Sequence, residues 1–148
     1  MRLVPGLIAG WVCSGALAGG AGDRALTFQD RVHAQEAIER VYYRHQLGTT
    51  KPFEQAVPRA VLERKVRNYL DQTADLQSHR GIRVTDETLQ QELARMARGS
   101  KMPDRLLELY AALGNDPFLI KECLARATLV DRPAVHRRRH LEQRDPRR

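Results

Sequence analysis

Between Val61 and Leu76 the apolar residues recur at intervals of three and four: Val61, Leu62, Val66, Tyr69, Leu70 and Leu76, with Thr73 on the same stripe. Nowhere does the chain alternate apolar and polar residues over a useful length. That pairing of facts constrains the fold most. Spacing of three and four gathers side chains on one face of a helix, whereas a half-buried strand needs period two. An all-α fold of about five helices, one of them long, is therefore expected.

Start and stop signals divide the helices. Thr27 caps the first, with Asp30 three residues on to reach back to free amides, and the helix runs to about His45. Its stripe is Phe28, Val32, Ala34, Ala37, Ile38, Val41 and Tyr42. Gln46 to Pro52 reads as a loop. The next run begins near Phe53 but must accommodate Pro58, which is tolerated in a first turn, so the long helix is expected to start there. Gly81 stops it after about 22 residues. The stretch GIRVTDETLQQELARMA follows from Gly81 to Ala97. Ile82 and Val84 form a brief extended connector, and Thr85 caps the third helix. Asp86 and Glu87 stand where the helix dipole favours negative charge. Gly99 ends this helix. Pro103 opens a fourth, closed by Gly114. Asn115-Asp116-Pro117 opens a fifth, which reaches about Val130 before Asp131-Arg132-Pro133 stops it.

The net charge of the 148-residue chain is +7. Its location decides what it means. The segment HRRRHLEQRDPRR at 136–148 holds six arginines against two acids, and Arg2 adds one more cation, which leaves +2 for residues 3–135. The basicity thus belongs mainly to a tail, and a basic folded face for nucleic acid is not indicated. At the other end MRLVPGLIAGWVCSGALAGGAG has one arginine and then no charge until Asp23. Ala16-Leu17-Ala18 fits the small-x-small pattern of a signal-peptidase site. Pro5 and the glycines at 6, 10, 15, 19 and 20 weaken a membrane-spanning reading. The expected organisation is a signal peptide at 1–18, a linker at 19–26, a helical domain at 27–132 and a basic, poorly ordered tail at 133–148. Location in the bacterial cell envelope, periplasmic or secreted, follows from the signal peptide.

Little in the residues points to chemistry. Cleavage after Ala18 would leave Cys123 as the only cysteine, and FLIKECLARA around it favours a small buried apolar side chain. Of the five histidines, only His136 and His140 have i, i+4 spacing, and they lie among arginines without a matching acid or thiol. No GxSxG, Gly-rich phosphate loop or CxxC occurs. No catalytic residue, metal or cofactor is expected. Tyr42-Tyr43 could stack a ligand, although their adjacency favours one at the core and one at the surface.

The order of elements from Val61 to about Val135 carries a resemblance. A long helix ends in a G-I-x-V-T-D-E-x-L junction, here GIRVTDETL. A short helix follows, then one begun after a proline turn, then a last helix ending in a leucine-valine pair. This is similar to the N-terminal helical domain of SurA-type periplasmic chaperones and related parvulin foldases such as PpiD and PrsA. The helix Thr27 to His45 behind a signal peptide fits the same layout. The resemblance implies a domain that holds non-native or outer-membrane-bound clients on apolar helix surfaces without chemistry. Leu89, Leu93, Met96, Leu106, Leu107 and Leu109 are its candidate peptide-binding residues. Family members continue into one or two parvulin domains. The arginine-rich tail is too short for one, so no prolyl isomerase activity is expected of this chain. The tail is also a poor candidate for the C-terminal element that completes the domain in that family.

The expectation is an exported chaperone-like module whose partners are unfolded or partly folded exported proteins, or a further domain or second chain that completes the fold. The alternative is an N-terminal structural or docking module of a larger secreted protein. A third reading makes the tail a binder of nucleic acid or anionic surfaces. Specific nucleic-acid recognition is not expected, and membrane contact is expected only transiently, through the signal segment.

Overall fold

Capping chemistry sets the helix boundaries in the computed structural model, which describes residues 24–132. The signal segment, most of the linker, the basic tail and the His136–His140 pair lie outside the described residues. Among the described residues every regular element is helical, so the fold is all-α. Helix α1 (Phe28–Arg44) starts at Thr27, where a full capping box forms: Thr27 Oγ1 accepts from the Asp30 amide at 3.1 Å, and Asp30 Oδ2 accepts from the Thr27 amide at 2.9 Å. Those two bonds satisfy amides that the helix itself leaves free.

The run after the first loop divides in two. A single turn, α2 (Phe53–Ala56), is followed by α3 (Arg59–Arg80), with Pro58 as its N-cap. Proline lacks an N–H and pushes the preceding residue out of helical geometry, so Val57 sits at φ −127° and ψ 75° and the two helices stay separate. Gly81 ends α3 at φ +61°, and the amide of Ile82 donates to Leu76 O at 3.0 Å. The Gly81 amide donates to the same carbonyl, so the left-handed residue turns two amides back onto the last turn of the helix. A Cβ at Gly81 would meet no atom within 4 Å, so Gly81→Ala is expected to lower stability by backbone strain alone, by about 1 kcal/mol. Denaturant midpoints of the two proteins check this.

Helix α4 (Asp86–Gly99) is capped by Thr85, and its third-position partner is the Thr88 hydroxyl. Helix α5 (Pro103–Ala112) has proline in its first turn. Helix α6 is continuous but in three parts: Pro117–Leu119, a widened π segment Ile120–Ala125, and Arg126–Asp131. The π widening has no signature in the sequence. It coincides with Arg31, whose guanidinium donates to the backbone carbonyl of Glu122 at 3.2 Å and to its carboxylate at 3.0 Å. Such insertions into the helical ladder accompany local widening.

Helices α1 and α6 are the spine. One apolar cluster joins Ala34, Ile38 and Val41 of α1 to Leu109 and Leu113, and to Ile120, Cys123 and Leu124 of α6. A second joins Val32 of α1 to Leu62, Val66, Tyr69 and Leu76 of α3 and to Val130 near the end of α6. Ile82 and Val84 pack against this second cluster, so the connector after Gly81 is fastened to the α3 side of the core. Helix α4 packs on the π segment and on the last turns of α6, and α5 packs on α1.

Candidate functional site

Two clefts adjoin on one side of the spine. The first, of about 550 Å³, lies between α1, α3 and α6; Ile38, Tyr69 and Leu124 give apolar surface, and Asn68 and Gln72 give amides. Its charges are balanced, Glu39 and Asp131 facing Lys65 and Arg132. Glu39 is engaged from two sides, by Lys65 at 2.7 Å and by the Gln35 amide at 2.7 Å. The second cleft, of about 300 Å³, lies where α4 and α5 approach α1 and α6. Met96, Met102, Leu106 and Leu109 line it, with Arg95, Lys101 and Arg105. Tyr42 and Thr128 line both clefts, so the two form one groove.

The groove exposes apolar surface. Tyr42 is 46% exposed and Met102 is 55% exposed. Large apolar side chains left in water at one place mark surfaces that take a partner, whereas scattered ones do not. Burial of the rest of the Tyr42 ring, and then Glu39, push its hydroxyl pKa up, so it stays a neutral donor. Tyr43 turns away, packing edge-to-face on Phe53 at 5.5 Å between ring centres.

The six leucine and methionine candidates separate into three environments. Met96, Leu106 and Leu109 come together at the second cleft, Leu109 through a mostly buried side chain. Leu89, at 1% exposure, is in the interior, and Leu93 packs partly buried against the first cluster. Leu107 points to solvent at 63% exposure. Tyr42 was legible as a possible stacking residue. Met102, Thr128, Lys101 and Arg105 were not, because only the approach of α5 to α1 and α6 brings them together.

Two carboxylates, the buried Glu92 and the partly buried Glu122, tie α6 to its neighbours. Glu122 receives Arg126 at 2.7 Å and Arg31 at 3.0 Å. Burial alone would raise its pKa; the two guanidiniums outweigh that and hold it below the ordinary value. Glu92 of α4, 2% exposed, receives Arg95 at 2.5 Å and also pairs with Arg132 beyond the end of α6. Burial again works against ionisation there, and the two arginines again prevail. The Cys123 thiol is buried and its pKa is pushed up to about 11, chiefly by that burial, so it remains protonated at neutral pH. Among the described residues no cluster of three or more His, Cys, Asp or Glu could hold a metal ion. Among them, too, no helix is long and apolar enough to cross a membrane.

Comparison with known protein families, with curated proteins and with solved structures gives no match for this chain.

Proposed function

We propose that the chain is an exported, chaperone-like module that holds non-native polypeptide in the groove shared by the two clefts. On this reading it is related to the N-terminal helical domain of SurA-type chaperones and performs no catalysis. One observation carries the proposal: two adjoining clefts meet at the half-exposed Tyr42, with the exposed Met102 in the second of them. A flexible thioether and an amphipathic ring suit a surface that must accept many sequences, since methionine repacks at little cost and tyrosine offers both a ring face and a hydroxyl. The groove's openness to solvent fits reversible holding of a segment from a larger chain.

The test is aggregation. An unfolded outer-membrane protein diluted from urea scatters light as it aggregates, and the full chain is expected to suppress that scattering near stoichiometric ratio. A double variant, Tyr42→Ser with Met102→Ser, keeps the core intact because neither side chain belongs to either apolar cluster, and it should need several-fold more protein for the same suppression. Undiminished scattering at high excess of the parent chain would remove the reading.

A further inference from the structure

We propose that the second cleft selects polypeptide segments in which a carboxylate stands beside apolar residues, seating the apolar side chains on Met96, Met102 and Leu106 and the carboxylate on Lys101 and Arg105. This rests on the holding function proposed above and names the class of segment held. The argument begins from charge. Arg95, Lys101 and Arg105 line the cleft, and no acidic residue does. Arg95 is committed to Glu92. Lys101 and Arg105 form no ion pair with any described residue.

Arg105 is the sharper case. Its Nε is buried and has no hydrogen-bond partner among the described residues. A buried guanidinium N–H without an acceptor is uncommon, because leaving it unpaired is costly. Glu108, one turn along the same helix, takes its close contacts from other groups, accepting from His45 at 2.7 Å and lying 3.8 Å from Arg44, while Arg105 acts on it only at longer range. Arg105 is therefore held at the wall of an apolar cleft with donor capacity unspent. The Nε itself is shut off from solvent, so an incoming carboxylate meets the two terminal nitrogens of the planar guanidinium, which can donate two parallel N–H bonds to it, and a partly dehydrated setting strengthens them. The neutral first cleft offers no such preference, since its acids and bases balance. The groove is thus asymmetric, and a bound segment should lie with its acidic end toward the α4–α5 turn.

Fluorescence anisotropy of labelled ten-residue peptides on the full chain tests this. The peptides share a leucine- and alanine-rich body and differ at two adjacent end positions, occupied by Glu, Gln or Lys. At low salt the Glu peptide is expected to bind about five- to tenfold more tightly than the Gln peptide, and the Lys peptide more weakly than either. In Arg105→Gln with Lys101→Gln the Glu preference, read as the ratio of the Glu and Gln peptide affinities within each protein, should collapse to about twofold or less. The tail arginines are present in every protein compared. A Glu preference that survives in the double variant therefore arises from cations other than Lys101 and Arg105 and overturns the assignment. Equal binding of Glu and Gln peptides to the parent overturns it as well, while leaving the holding function standing. Failure of every peptide to bind removes the holding function itself, and this inference with it.

Discussion

Replacing Glu122 with Ala is expected to destabilise the fold by about 2–4 kcal/mol, somewhat below the cost of breaking a fully buried pair. The substitution leaves Arg31 and Arg126, whose side chains are only 14% and 15% exposed, without their counter-charge. It also removes the carboxylate that ties α1 to the widened part of α6. For a domain of this size the thermal midpoint should fall on the order of 10 °C. Glu122→Gln keeps the shape and one acceptor and should cost less. The pH dependence has a definite sign. The folded Glu122 and Glu92 carboxyls both lie below their ordinary values. Each therefore stabilises above the unfolded carboxyl pKa, near 4.3, and loses that contribution as pH falls through the folded value. Urea midpoints at neutral pH and at about pH 3 should show a smaller acid loss in Glu122→Gln than in the parent. A Glu122→Ala protein within about 0.5 kcal/mol of the parent would mean that water screens the cluster despite its burial.

Boundaries set by neighbours in the chain were legible. Thr27 with Asp30, the left-handed Gly81, Thr85 and Pro103 each satisfy or terminate backbone hydrogen bonds within a few residues, so the sequence alone places them. The long helix likewise follows from its stripe, and its 22 residues agree with the expected length. Features that depend on distant partners were not legible. Glu92 follows Gln90 and Gln91 in a polar stretch, yet it is buried and paired with Arg132, forty residues on. The π segment coincides with a contact from Arg31, 91 residues away. On α5 the leucines at 106, 107 and 109 spread over about 160° of the helix circumference. Their sequence pattern does not say which one meets water, and only the packing of α5 on α1 leaves Leu107 outside. For the same reason the candidate groove residues could be grouped as apolar but not sorted into core, cleft and surface.

Leu89→Ala should cost about 2–5 kcal/mol, and it separates core from groove among those candidates. Leu89 lies in the first turn of α4 and is 1% exposed, so truncation leaves a cavity that the surrounding helices fill only in part. Leu107→Ser, at 63% exposure, should change stability by no more than about 0.5 kcal/mol. The same pair of proteins carries a functional readout. At a temperature where Leu89→Ala is still folded, its suppression of client aggregation per folded molecule should equal that of the parent, because the side chain touches the interior and not the cleft. A Leu89→Ala protein that kept its stability and lost client holding would reverse this placement, making Leu89 a contact of the bound segment. The stability loss would arise from packing around α4. That packing also positions Met96, two turns further along the same helix, so a partial weakening of client holding should appear only as the temperature approaches the unfolding transition.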